Sequence, residues 1–447
     1  MHRNWDVTEE QARVVEFRNG TATVVAGPGS GKTRTVIYTI LDHLAEGVPG
    51  DRIMAVAYNR AAADEMKDRL LRWAPEDLRG VAHSVEISTF HAYCLRLLRA
   101  KHGRTEVLDD RDARRWVGDI LRSKPIEDFD TDPADVLAKI SYLREVMPGQ
   151  PPDKWGRAGA DDLTITVGNR YIDRLHREEV IDFTEMQAGV LRILDTTPNV
   201  RSLVHGSFDL MCLDEAQDQN PLRSAIWARL TGVAYGKQAP KTVVIIGDFR
   251  QSVYRFIGAT PEVFLAYQAQ ARTVGSDFAL TTNFRSLPEI VAAGNRVLGE
   301  DVGVAARSND TPNAGPVVSI DEYATAWEEA TAVTRQIKTW AQMDTVPRAR
   351  IVLLRPEDAD ATSAAQAPTP LSDIAVIYRT RGAGAAIQLT LAKAGVPFVV
   401  RGGSGFFSVG CVADACAYME AGTTWNVEAL ERASKTPSRY LGVAFRD

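Results

Sequence analysis

The sequence predicts a multi-domain α/β protein built on a mainly parallel sheet, and three observations predict it. Short β-branched runs alternate with longer helical patterns, the runs are apolar throughout, and 447 residues exceed what one ordinary core organises. The first runs are Thr23-Val-Val-Ala26, Ile53-Met-Ala-Val56, Leu210-Met-Cys-Leu213 and Val243-Val-Ile-Ile246. Continuous apolar runs suit strands covered on both faces, as in a parallel sheet flanked by helices.

Residues 103–182 break this rhythm. They are charged, punctuated by Trp, and helical over 110–122, 133–146 and 165–179, with no convincing strand. A helical subdomain inserted into the α/β core explains them better than a long loop. A second α/β region starts near residue 280, with expected strands at 317–320, 373–378 and 397–400 and a long helix over 322–343. Residues 356–370, rich in Ala, Asp, Thr and Pro and without periodicity, read as a mobile loop.

Composition excludes several classes. A hydrophobic fraction of 45% and a charged fraction of 25% are ordinary for a globular protein. No apolar run reaches the length of a membrane span, and residues 1–11 lack the apolar centre of a secretory signal. Cys94, Cys212, Cys411 and Cys416 fit neither a disulfide framework nor a paired-cysteine zinc site, so a cytoplasmic setting is expected. A net charge of −6 argues against charge-driven nucleic-acid binding but leaves room for a local basic groove.

The strongest chemical signal is Ala26-Gly-Pro-Gly-Ser-Gly-Lys-Thr33, between a predicted strand and an amphipathic helix. Ala26, Gly27, Pro28, Gly29, Ser30, Gly31, Lys32 and Thr33 would cradle the phosphates of ATP, because glycines let backbone N–H groups turn inward and the helix N-terminus adds positive potential. Lys32 would meet the β- and γ-phosphates, and the Thr33 hydroxyl would hold Mg²⁺. The apolar strand 210–213 ends in Asp214-Glu215, at the sheet edge where such folds bind ligands. Asp214 can hold Mg²⁺ through water, and Glu215 can orient and deprotonate an attacking water.

Asp214-Glu-Ala-Gln-Asp218, followed by Val243-Val-Ile-Ile-Gly-Asp-Phe-Arg-Gln-Ser-Val-Tyr-Arg-Phe-Ile-Gly-Ala259, resembles motifs II and III of UvrD/Rep/PcrA-type superfamily 1 DNA helicases. The other segments follow in that family's order. Thr8-Glu-Glu-Gln11 resembles the Q motif, Ala57-Tyr-Asn-Arg-Ala-Ala-Ala-Asp-Glu-Met66 motif Ia, and Ser88-Thr-Phe-His-Ala-Tyr93 motif Ib. Ile181-Asp-Phe-Thr184 resembles the signature before motif II, and Thr282-Asn-Phe-Arg-Ser286 motif IV; residues 373–379 and 402–407 resemble the later second-motor segment.

The resemblance implies a RecA-like P-loop NTPase motor domain (1–102 and 182–279) carrying an inserted helical subdomain (103–181). A partial second RecA-like domain (280–406) and the start of its helical insertion (407–447) would follow. It implies ATP-driven 3′–5′ translocation on single-stranded DNA, with unwinding at single-strand/duplex junctions in repair, recombination or replication, and no membrane partner. Gln11 would read adenine between Arg34 and Phe284. Gln251 would link the γ-phosphate to the DNA, and Arg285 would reach across from the second motor domain as an arginine finger. Asn59, Arg60, Thr89, Phe90, His91, Tyr254 and Phe256 would line the DNA groove.

The sequence departs from the pattern in three places. Ala57 stands where the family carries an aromatic residue, with Tyr58 one position later, which on a strand reverses the side chain's face. Ile257 stands where the family has Arg, although Arg255 is close. Beyond Phe407 only residues up to Asp447 remain, and motifs V and VI are not found. A fragment, half of a split helicase completed by a separate chain, and a reduced ATP- and DNA-binding module without unwinding activity are the three readings left open. A GTPase is disfavoured by the missing Asn-Lys-x-Asp.

Overall fold

A computed structural model describes residues 5–103, 105–235, 240–253, 255, 258–298, 305–306, 318–341, 369–400, 410–424 and 433. The chain divides into two compact units after Pro312.

The first unit is organised by six parallel strands: β1 (Gly20–Ala26), β2 (Ile53–Ala57), β3 (Glu86–Thr89), β6 (Leu210–Leu213), β7 (Thr242–Gly247) and β8 (Asp277–Leu280). Their order across the sheet is β3-β2-β6-β7-β1-β8. The apolar runs are continuous because successive side chains enter two different cores. Val244 and Ile246 face α1 (Glu9–Val15), α2 (Lys32–Ala45), α3 (Arg60–Trp73) and α4 (Glu76–Ala82). Val243 and Ile245 face α5 (Phe90–His102), α9 (Phe183–Thr196), α10 (Pro198–Ser207), α11 (Pro221–Leu230) and α12 (Pro261–Thr273). Each fully buried Val or Ile contributes about 1.5–3 kcal/mol, so polar substitution on either face is costly.

The inserted segment holds α6 (Asp110–Arg122), α7 (Pro133–Val146) and α8 (Asp162–Arg177), packed around Val117, Ile140, Trp155, Val167 and Tyr171. Two short strands that the sequence did not announce, β4 (Glu106–Val107) and β5 (Val180–Ile181), pair in parallel on either side of these helices. Arg144 of α7 is buried and reaches Asp182 at 2.6 Å and Glu185 at 2.5 Å. Burial alone would raise Glu185, but hydrogen bonding from His176 and the charges of Arg144 and Arg192 hold it down at about 2. This charged cluster ties the helical segment to α9.

After β8 the chain forms β9 (Thr282–Asn283), paired with β10 (Ala305–Ala306), and α13 (Pro288–Leu298). These elements lie in the first compact unit. In the second unit, α14 (Ala326–Trp340) packs on α15 (Arg381–Lys393) through Ala330, Ile337, Ile387 and Leu391, and α16 (Gly410–Thr424) follows. The segments expected as strands at 317–320, 373–378 and 397–400 carry no strand pairing among the described residues. Ile320 and Ile377 are more than nine-tenths exposed there, so no described neighbour covers those faces. Residues 356–368 lie outside the described residues, as do 402–407. Among the described residues no helix is long and apolar enough to cross a membrane.

Candidate active site

Because all six strands are parallel, their carboxyl ends share one edge. Residues 27–31, 58–60, 90–91, 214–218, 248–251 and 281–285 all emerge there. Adjacent strands lie about 4.8 Å apart. The edge therefore runs roughly 19 Å from β1, where the glycine loop begins, to β3.

The loop between β1 and α2 closes on itself and on the segment after β8. Ser30 Oγ donates to the Gly27 carbonyl at 2.8 Å, and Asn283 Nδ2 donates to the Pro28 carbonyl at 2.7 Å. The Phe284 N–H donates to the Gly29 carbonyl at 2.9 Å. Gly29 has φ +68°, and a Cβ there would meet Asn283 Oδ1 at 2.7 Å and the Arg285 Cβ at 2.8 Å, so only glycine fits. Gly31 caps α2 with no side-chain hydrogen bond, which leaves the first helical N–H groups for an anion.

Beyond the loop, five residues form a closed ring through the side chains of Lys32, Gln251, Gln217 and Glu215 and through both the carboxylate and the backbone N–H of Asp248. Lys32 Nζ donates to Gln251 Oε1 at 3.1 Å and lies 3.4 Å from Glu215 Oε2. Gln251 Nε2 donates to Asp248 Oδ2 at 2.8 Å, and the Asp248 N–H donates to Gln217 Oε1 at 2.9 Å. Gln217 Nε2 closes the ring by donating to Glu215 Oε2 at 2.7 Å. Two local devices permit it. Glu215 takes a left-handed backbone (φ 49°, ψ 48°), a strained choice for a non-glycine residue that recurs at functional sites. At Gly247 a Cβ would lie 2.6 Å from Gln217 Oε1, so the end of β7 must be glycine for Gln217 to enter.

Asp214 ends the strand β6, buried, accepting from the Glu215 N–H at 2.9 Å and hydrogen-bonding Thr33. Burial, reinforced by the adjacent Glu215 carboxylate, pushes it up to about 7. A buried carboxylate beside a hydroxyl is a fitting oxygen-donor set for Mg²⁺. That ion needs only one or two protein oxygens besides water and phosphate.

Gln11 is buried in the capping box of α1, where Nε2 donates to the Ser30 carbonyl at 3.2 Å and Oε1 accepts from the Thr8 N–H. A carboxamide keeps further donor and acceptor capacity for a base. Arg34 binds Asp6 at 2.6 Å and lies over Tyr38, 5.4 Å from its ring centre. Tyr38 in turn stacks on Trp73. Phe284 is half-exposed and Arg285 exposed, both directly beside the glycine loop. β8 pairs with β1, and five residues later the chain has reached Arg285, beside the glycine loop and within the first compact unit.

The far end of the edge is built differently. Asn59 and Thr89 cap α3 and α5, accepting from the N–H groups of Ala62 and Ala92. Arg60 is exposed, 3.7 Å from Asp64. His91 is half-buried; its Nε2 meets Gln187 Nε2 at 2.5 Å, and burial with the nearby Arg223 charge lowers it to about 4. The imidazole is therefore neutral near pH 7 and accepts from Gln187. Phe90 is a correction. It is 4% exposed and packs edge-on against Trp227, so its ring cannot stack a base. Tyr254 and Phe256 lie outside the described residues.

Comparison with known proteins bears on this arrangement. The family model described as the UvrD/REP helicase N-terminal domain matches residues 7–272, and the UvrD-like helicase C-terminal domain matches residues 278–445. The chain belongs to the UvrD/REP helicase family. It is 25% identical over 447 residues to the ATP-dependent DNA helicase PcrA of Staphylococcus epidermidis, which covers 98% of this chain and 56% of that protein. The Staphylococcus aureus protein of the same name is 25% identical over 443 residues, with 97% and 56% covered. The chain thus spans a little over half the length of these relatives. The expectation that it lacks the later family motifs loses its support, because the UvrD-like C-terminal match runs through residue 445. Two ring members, Gln217 and Asp248, are not among the residues expected from sequence, although both lie inside the motif segments. Phe183, half-exposed and edge-on to His91, and Arg223 were also unassigned.

Proposed function

We propose that this chain binds and hydrolyses ATP with Mg²⁺ and uses the cycle to move along single-stranded DNA as a helicase or translocase. The observation that carries this reading is the closed ring Lys32–Gln251–Asp248–Gln217–Glu215. It joins the glycine loop to the turns that follow β6 and β7.

In this reading Lys32 turns from the ring to the β- and γ-phosphates, and the glycine loop's N–H groups hold them from behind. Release of Lys32 frees Glu215 to accept a proton from the attacking water, with Gln251 orienting it. Thr33 and Asp214 would hold Mg²⁺, which would supply positive charge to the phosphates. Arg285 supplies positive charge opposite Lys32, and Gln11, Arg34 and Phe284 receive the adenine. Asn59, Arg60, Thr89 and His91 form the strand-binding end, with Phe183 joining them as an exposed ring beside His91. The 3′–5′ direction, a role in repair, recombination or replication, and the division into motor segments (1–102, 182–279), helical insertion (103–181) and second motor (from 280) belong to the same proposal. The test is ATP hydrolysis with and without single-stranded DNA. We expect strong stimulation by DNA; equal rates in the two samples sink the motor reading.

A further inference from the structure

The inserted helical segment supplies no member of the ring, yet its helix α7 ends against the segments that carry the ring. Three residues of its last turn make the contact. Glu145, half-buried, accepts a hydrogen bond from the Asn220 side chain. Tyr142 and Val146 flank Gly258, where a Cβ would stand 3.4 Å from both side chains. Asn220 is itself buried, and its Oδ1 caps α11 by accepting from the Arg223 N–H at 2.9 Å. Its Nδ2 is therefore the group that donates to Glu145. Asn220 closes the turn that carries Glu215 and Gln217, and Gly258 follows the turn that carries Asp248 and Gln251. These two segments are also bonded to each other. The Thr260 N–H donates to the Gln219 carbonyl at 2.9 Å, and Ser252 Oγ donates to the Gln217 carbonyl at 3.3 Å. One turn of one helix thus touches both supports of the ring. Arg144, in the same turn, fixes α7 on α9 through its buried bonds to Asp182 and Glu185.

The left-handed backbone of Glu215 gives such support a purpose, because a strained residue keeps its conformation only where its surroundings over-determine it. We propose that Glu145 is a positioning residue for ATP hydrolysis: through Asn220 it fixes the 214–220 turn, and so the placement of Glu215 and Gln217. The helical insertion then sets the rate of the ATP site without touching the nucleotide. The inference rests on the function proposed above and gives the insertion a role within it.

Steady-state ATP hydrolysis by the full chain with saturating oligothymidine tests this. Glu145→Ala should lower kcat roughly 2- to 30-fold, the range for a residue that acts through a network. KM and the binding of a fluorescent ATP analogue should not change. Glu145→Gln keeps an acceptor oxygen for Asn220 and should restore most of kcat. With Gln217→Ala already in place, Glu145→Ala should cost less than it does alone, because part of what it positions is gone. A wild-type kcat in Glu145→Ala overturns the inference, and so does equal loss of kcat and analogue binding, which a merely structural role produces. Glu145→Gln as slow as Glu145→Ala, or strict additivity with Gln217→Ala, overturns it too. In each of these cases hydrolysis by the unaltered chain leaves the proposed function standing. No DNA-stimulated hydrolysis by the unaltered chain removes both.

Discussion

The nucleotide end and the strand end of one sheet edge obey different rules. At the nucleotide end, the side chains spelled out by the motifs bond to one another: Lys32, Glu215 and Gln251 are ring members, joined by Gln217 and Asp248. At the strand end, several motif residues serve the fold instead. Asn59 and Thr89 are helix caps, and Phe90 is core. The exposed or half-exposed chemistry there comes from Arg60 together with Phe183 and Arg223, the last two on helices far away in sequence. Phosphate chemistry needs several groups within bonding distance of one point, so its residues are confined to short turns. A strand is contacted over a long surface, which any nearby helix can furnish.

The contrast breaks most sharply at Glu215. Glu215→Gln should lower ATP turnover by about 10²–10⁴-fold, as expected for a lost general base, while nucleotide binding survives. Steady-state hydrolysis and analogue binding check this, and near-normal turnover removes Glu215 as the base. Next in size, Phe90→Ala should cost about 3–5 kcal/mol of stability by opening a core cavity. Denaturant unfolding reads it; a variant of normal stability with weakened strand binding would restore Phe90 to the groove. Thr89→Ala should cost only about 1 kcal/mol, the value of one helix cap, by the same measurement.

A pH dependence completes the comparison. His91 lies near 4 in the fold, below its ordinary 6.5, because burial and Arg223 disfavour its charged form. The unfolded chain therefore binds more protons between these values, and stability rises with pH across the window. Its contribution is complete above 6.5 and is lost as pH falls toward 4. His43, also lowered to about 4 by burial and Arg18, adds a slope of the same sign. His91→Gln should flatten the unfolding midpoint's dependence on pH only in part. An unchanged slope would mean His91 is already solvated.

The four central strands of the sheet were legible because each is apolar on both faces, as Val243 to Ile246 show, whereas the edge strands β3 and β8, polar on one face, were not. The expected strands of the second unit were less so. Their apolar runs look alike in sequence, but a strand exists only where a neighbour supplies hydrogen bonds, and the described residues at 374–378 have none. Arg285 was legible as a residue type, yet its proximity to Gly29 depended on β8 pairing with β1.

By itself the sequence determined the residue types of the phosphate loop, the two carboxylates that end β6, and the family to which these motifs belong. Those are properties of contiguous segments, where spacing along the chain fixes chemistry. Only the tertiary structure decided that Gln217 and Asp248 complete the ring, that Phe90 turns inward, and that Arg223 comes to rest over Tyr58. Each of these depends on which strand lies beside which, a relation that residues distant in sequence acquire only when the sheet closes.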